Sequence, residues 1–253
     1  MGRIVLKWGG GLITDKATLC TVRSDRLQTL ATAVDTLTAA GHQVILVHGA
    51  GSFGHLRSKA ARLAEGNVEG FDQSEAIQQV RVDMDTLHSY VLESLASPTT
   101  SHPPRDFVTN TGSAFSGDLS GFFGEGIHVT FGDVVKCDPP KDFGILSGDD
   151  LMLRLATELE DVTHCIFAMG DVAGLMTGPG PDAQLIPLWH PEEGLSGDHA
   201  TEQDVTGGIF LKADRAAVIA THVDHVWFVD GRHPERILSI VNDGMAVGTR
   251  IRP

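Results

Sequence analysis

Cysteine, positive charge and long apolar runs are all scarce in this chain. Its 253 residues include three cysteines, Cys20, Cys137 and Cys165, an odd number at wide spacing with no Cys-x-x-Cys pair. That excludes a disulfide framework and a zinc-type thiolate site, and it points to a reducing, cytoplasmic setting. Lys and Arg number 19 against 33 Asp and Glu, a formal charge of -14. The average surface therefore repels phosphate backbones and anionic lipid, so neither nucleic acid nor a membrane is an expected partner. If the ligand is an anion, the few cations must be gathered at its site. No stretch approaches the roughly 18 unbroken apolar residues of a membrane span, and the start MGRIVLKWGGG lacks the apolar region of a cleavable signal. There is no internal repeat or low-complexity tract. What is present, 42% hydrophobic and 21% charged residues with 29 glycines, describes an ordinary globular chain long enough for one large core.

Short apolar, largely β-branched or aromatic segments at Arg3 to Lys7, Gln43 to Val47, Gly126 to Thr130, His164 to Ala168 and His225 to Val229 are expected to be buried strands. Helical periodicity lies between them. Ser24 to Ala40 offers Ser24 as N-cap, apolar Leu27, Leu30, Ala31, Val34 and Leu37, and Gly41 as terminator. Gln73 to Ala96, Asp149 to Glu160 and Lys212 to Thr221 follow the same pattern. Alternating strands and helices predict an α/β fold with a mainly parallel sheet covered on both faces, its ligands beyond the carboxyl ends of the strands. The run at 97–106, SPTTSHPPRD, reads as a loop, and 112–126 as a glycine-rich connection. One domain over 1–253 is expected, with two lobes of about 1–147 and 148–253.

Chemistry concentrates in glycine-rich segments after strands. Val5 to Lys7 runs into Gly9, Gly10 and Gly11, a strand, a cation and a glycine nest in the order that suits phosphate binding better than a plain turn. Lys16, after Ile-Thr-Asp, is placed to fold back toward that nest. The strand VILV is followed by HGAGSFGHL, whose Gly49, Gly51 and Gly54 satisfy G-x-G-x-x-G. No second strand ending in an acid follows about twenty residues later, which argues against a dinucleotide unit. His55 and Leu56 stand where a P-loop needs Lys and Ser or Thr, which argues against a Walker-type NTPase. What is left is a helix start preceded by glycines and bearing a histidine, a pocket for a phosphate monoester.

Farther on, FGDVV at 131–135 and ILSGDDLM at 145–152 place Gly-Asp beside apolar residues. Such aspartates commonly cap helices, and capping is the first expectation for Asp150; Asp149 and Asp150 are also placed to orient a metal-bound nucleotide. The segment 169–181, MGDVAGLMTGPGP, adds Asp171 among glycines. DVTGGIFLKADRA sets Gly207 and Gly208 ahead of a helix bearing Lys212, either an ordinary turn with a solvated lysine or a phosphate held at a helix start.

Taken together, LKWGGGLITDK, VHGAGSFGH, FGDVV with GILSGDD, DVTGGIFLK, DGRHPERI and the ending VGTRI resemble the amino acid kinase family over almost the whole chain. Within it they are similar to the branch that phosphorylates isopentenyl phosphate, which the histidine of GSFGH distinguishes from relatives acting on carboxylates or carbamate. The resemblance implies a three-layer αβα sandwich paired as a homodimer, with acceptor in the N-terminal half and ATP in the C-terminal half. It implies ATP binding by Lys7, Trp8, Gly9, Gly10, Gly11, Gly51, Asp171, Gly208 and Lys212, with Mg2+ held mainly through the ATP phosphates. It assigns the acceptor phosphate to Ala50, Gly54, His55, Gly148 and Asp149, and catalysis to Lys7, Lys16 and His55. Ile77, Val80 and Met84, at helical spacing, are candidates for the acceptor's apolar tail.

The chain departs from that family in three places. The usual HGGGSFGH reads HGAGSFGH, so Ala50 adds a methyl group. The usual TDVDG reads GDVAG, keeping Asp171 and losing the second acid. The stretch 112–126 is shorter than the family's hairpin and helix. The expected reaction moves the γ-phosphoryl of ATP onto the phosphate of an isoprenoid monophosphate. That nucleophile needs no strong base, since a monoester with a second pKa near about 6 is mostly dianionic at neutral pH. The alternatives are a kinase of another small phosphate or phosphonate, such as fosfomycin, and a nonenzymatic nucleotide or phosphate sensor.

Overall fold

A computed structural model of the chain describes residues 2–178, 180, 182–194 and 208–253. Twelve strands occur among them: β1 Arg3–Trp8, β2 Gln43–His48, β3 Thr99–Ser101, β4 Val108–Thr109, β5 Ser116–Gly117, β6 Ile127–Phe131, β7 Asp133–Lys136, β8 Phe143–Leu146, β9 Val162–Met169, β10 Leu188–Trp189, β11 His225–Asp230 and β12 Gly248–Ile251. The helices are α1 Gly10–Ile13, α2 Ser24–Ala39, α3 Gly51–Ala60, α4 Ser74–Ser94, α5 Pro104–Phe107, α6 Gly148–Glu158, α7 Gly208–Ala220 and α8 Glu235–Asp243. All five expected strands and all four expected helices form, with ends shifted by a few residues.

The main sheet runs β10-β12-β11-β9-β1-β2-β6-β3, and a smaller sheet runs β5-β4-β7-β8. In the main sheet every pairing is parallel except β11 with β12. Side chains alternate across each strand, so the sheet divides the core into two layers. Ile4, Leu6 and Trp8 of β1 face α2, α4 and α8, whereas Val5 faces α6 and α7. Burial on both faces is why β1 and β2 are almost unbroken apolar runs. On α4, Val80, Met84, Leu87 and Val91 recur at helical spacing and are buried, each contributing roughly 1.5–3 kcal/mol relative to exposure. The result is the expected three-layer αβα sandwich.

Three local expectations need correction. Ser24 is the first residue of α2 and Arg23 occupies the cap position with no side-chain cap; Gly41, at φ 87°, does terminate the helix region. The run at 97–106 is not simply a loop: Thr99, Thr100 and Ser101 pair with Ile127, His128 and Val129 at the sheet edge, and a proline at the first helical position starts α5. Asp150 does not cap α6. Ser147 does, accepting from the Asp149 N–H, while Asp150 pairs with Arg215 of α7 at 2.7 Å.

Candidate active site

The carboxyl ends of β1, β2 and β9 meet above the sheet. Lys7 is the last residue of β1 on the α6/α7 side, and its ammonium lies 2.6 Å from Asp149 Oδ1. Asp149 Oδ2 is 3.1 Å from Lys212 Nζ of α7. One carboxylate therefore holds two ammonium groups from segments 142 and 63 residues away in sequence. Burial alone would raise the Asp149 carboxyl, yet the charges of Lys212 and Lys7 outweigh it and hold it down to about 2. Gly148 makes room for this arrangement, since a Cβ there would lie 3.3 Å from Lys7 Cε.

Beside the triad two glycine loops interlock backbone against backbone. A Cβ on Gly10 would lie 2.2 Å from the Gly51 nitrogen, and one on Gly49 would lie 2.5 Å from the Gly10 nitrogen. Gly51 also sits at φ +51°, where L side chains are strained. Lys16 folds back over Gly11 as expected, close enough that a Cβ on Gly11 would clash with Lys16 Cε, and its ammonium pairs with Asp171 at 2.8 Å. Gly9, Gly10, Gly11 and Gly208, the first residue of α7, line the same cleft.

That cleft has a volume of about 800 Å³. Lys7, Lys16, Lys212 and several glycines line it together with apolar side chains, among them Leu56, Val80, Met84, Val134 and Ile145. His55, half-buried on the first turns of α3, stands in the cleft wall with Ala50 and Gly54. The Ala50 methyl occupies the space a side chain at 54 would need, 2.6 Å from a Cβ there. Gly54 thus accommodates the added methyl. The structure brings together Lys7, Gly9, Gly10, Gly11, Lys16, Ala50, Gly51, Gly54, His55, Gly148, Asp149, Asp171, Gly208 and Lys212 in this one cleft.

Two expected site residues lie elsewhere. Trp8 is fully buried in the α2/α8 core layer, because one step along a strand reverses the face a side chain takes. Ile77 packs against the same core layer, and it does not line the cleft. Val134 and Ile145 were not anticipated. They are direct partners across the β7–β8 hairpin, a pairing that FGDVV and GILSGDD do not announce by themselves. The 112–126 segment contributes Phe115, Leu119 and Phe122 to the other core layer and nothing to the cleft wall. Gly207 lies outside the described residues.

Among the described residues no three His, Cys, Asp or Glu side chains converge as metal ligands. Asp149 and Asp171 are each engaged by lysine. Such a cleft, lined by lysines and glycines inside an αβα sandwich, is the kind of site that phosphotransferases use to hold phosphate groups.

The sequence signature of the amino acid kinase family matches residues 2–230. An isopentenyl phosphate kinase of Thermoplasma acidophilum is 30% identical over 256 residues, covering 98% of this chain and 100% of that protein. The isopentenyl phosphate kinase of Haloferax volcanii is 31% identical over 263 residues, covering 100% and 99%. A crystal structure of an isopentenyl phosphate kinase substrate complex superposes with a TM-score of 0.80 at 26% identity, covering 100% of both chains. The chain belongs to the amino acid kinase family and, within it, to the isopentenyl phosphate kinase family.

Proposed function

We propose that this protein transfers the γ-phosphoryl group of ATP to the phosphate of isopentenyl phosphate, and to dimethylallyl phosphate, forming the diphosphate. The observation that carries the substrate assignment is the mixed lining of the cleft, three lysines and glycine loops beside apolar side chains. His55 lines it together with Lys7, Lys16 and Lys212 and with apolar Leu56, Val80, Met84, Val134 and Ile145, a combination that suits a phosphate bearing a short hydrocarbon tail and offers little to a carboxylate-bearing amino acid. The family's acceptor and ATP halves, about 1–147 and 148–253, carry over to this chain in the same reading.

The chemistry is mainly electrostatic. Lys7 and Lys212, held by Asp149, and the glycine N–H groups receive the ATP phosphates, while Lys16 meets the phosphoryl group as it moves. His55 donates a hydrogen bond to the acceptor phosphate, whose oxygen attacks without a base. Mg2+, when bound with ATP, supplies charge neutralisation at the phosphate oxygens. Homodimerisation belongs to the same reading and is checked by light scattering. So does a cytoplasmic setting, in keeping with three free cysteines. No helix among the described residues is long and apolar enough to cross a membrane.

The test is an ADP-release assay with Mg-ATP against isopentenyl, dimethylallyl and geranyl phosphates, fosfomycin, acetylglutamate and carbamate. Selective turnover of the short isoprenoid phosphates is expected. Turnover confined to other members of the panel overturns the substrate, and ATP binding with no turnover at all would indicate a sensor.

A further inference from the structure

We infer that Thr14 is a positioning residue: its hydroxyl ties the loop that carries Lys16 to the start of the helix that carries His55, fixing the cation at the transferred phosphoryl relative to the acceptor's anchor. The inference rests on the phosphoryl-transfer reading above and concerns a residue that lines no part of the cleft.

Thr14 is fully buried at the end of α1. Its Oγ1 donates to the Gly10 carbonyl at 2.8 Å and accepts from the Ser52 N–H at 3.0 Å. Ser52 lies in the first turn of α3, whose leading N–H groups have no partner within the helix. A side chain from a separate glycine loop thus caps the helix that presents His55. Space for it exists because residue 51 is glycine, where a Cβ would lie 2.0 Å from Thr14 Oγ1.

The segment after Thr14 is anchored at the same point. Thr14 pairs with Val22 in an isolated antiparallel bridge, and Asp15 N–H donates to the Thr21 carbonyl at 2.8 Å. The loop so closed contains Lys16, and its far side returns to Ser52, with Thr21 N–H donating to Ser52 Oγ and Cys20 N–H to the Ser52 carbonyl, each at 3.4 Å. Thr14 and Ser52 therefore join three things: the Gly10 loop, the Lys16 loop and α3. Replacing the hydroxyl with a methyl leaves the Ser52 N–H and one Gly10 acceptor site buried without their partner. The loops then relax apart, and small misplacements of reacting groups are expensive in rate.

Three variants and one cycle test this. Thr14→Val is expected to lower kcat about tenfold or more at a temperature well below its melting point, with KM for ATP within about twofold. Thr14→Ser, which keeps the hydroxyl, is expected to restore turnover to within about threefold. In a Lys16→Met background, Thr14→Val should change kcat by less than about twofold, because the group whose placement it governs is gone. An equal loss in both backgrounds makes Thr14 merely structural and overturns the inference. Should Thr14→Val fail to fold, Thr14→Ala takes its place in each comparison.

Amide hydrogen exchange supplies a readout that needs no substrate. Thr14→Val should raise exchange in residues 15–22 and 50–56 together, and Thr14→Ser in neither. A rise in one segment alone, or in none, refutes the coupling. Absence of wild-type turnover with isopentenyl phosphate counts against the functional reading, while the exchange experiment still decides the role of Thr14.

Discussion

Two lysine–aspartate pairs share the cleft and differ in almost everything except their chemistry. Lys7 and Asp149 are 8% and 4% exposed, and Lys212 completes that pair into a triad; Lys16 and Asp171 are 53% and 62% exposed. An exposed pair is worth about 0–1 kcal/mol, whereas removing one partner of a buried pair costs about 3–5 kcal/mol because the other charge is stranded. The triad is therefore part of the architecture. Lys16 can exchange Asp171 for a phosphate at little cost, which suits its proposed place at the moving phosphoryl.

The comparison is broken most severely at Asp149. Asp149→Asn leaves the Lys7 and Lys212 ammonium groups without their shared carboxylate, and we expect a loss of about 3–5 kcal/mol in urea unfolding together with loss of measurable turnover. Lys16→Met should separate the two pairs cleanly: kcat falls about 10²–10³-fold, with a thermal midpoint within about 2 °C of wild type. A midpoint shift as large as that of Asp149→Asn would contradict the contrast between them.

Acid sharpens the contrast in a different way. His48, at the end of β2, and His88 of α4 form a buried hydrogen-bonded pair at 3.1 Å. Burial lowers His48 to about 3 and His88 to about 4. Between those values and 6.5 the unfolded chain takes up protons that the folded chain does not, so stability falls as pH drops through that window. Asp149, held at about 2, loses its contribution only below the ordinary carboxylate value of 3.8. The free energy of urea unfolding should thus decline from pH 6.5 toward 4 with the same slope in wild type and Asp149→Asn. A slope that differs there would place the triad among the acid-labile groups. The smallest effect belongs to Ala50→Gly, expected to lose about 0.4–1 kcal/mol through greater freedom of the unfolded chain, as Ala50 already has helical dihedrals of φ -75° and ψ -34°.

The parts legible in the sequence are those governed by local rules. Five strands, four helices, the glycine loops and the return of Lys16 toward Gly11 follow from periodicity and turn chemistry. The face of Trp8 is readable too, since it alternates with Lys7, and strand parity sends its side chain into the core rather than to the nucleotide site that the family resemblance implies. Glycine-rich surroundings mark Lys7, Asp149 and Lys212 one by one, but only the packing of α6 and α7 on one face of the sheet brings them together as a triad. Val134 and Ile145 escaped for the same reason, as hairpin register set their shared face. The hydroxyl of Thr14, hidden inside LITDK, gives no local signal of its role.

The most direct measurement is 31P NMR of the protein with Mg-ATP and isopentenyl phosphate. Transfer of the γ-phosphoryl to isopentenyl phosphate is expected to give two growing, mutually coupled resonances of a diphosphate monoester, matched by conversion of ATP to ADP. Release of inorganic phosphate with the isopentenyl phosphate signal unchanged would contradict it.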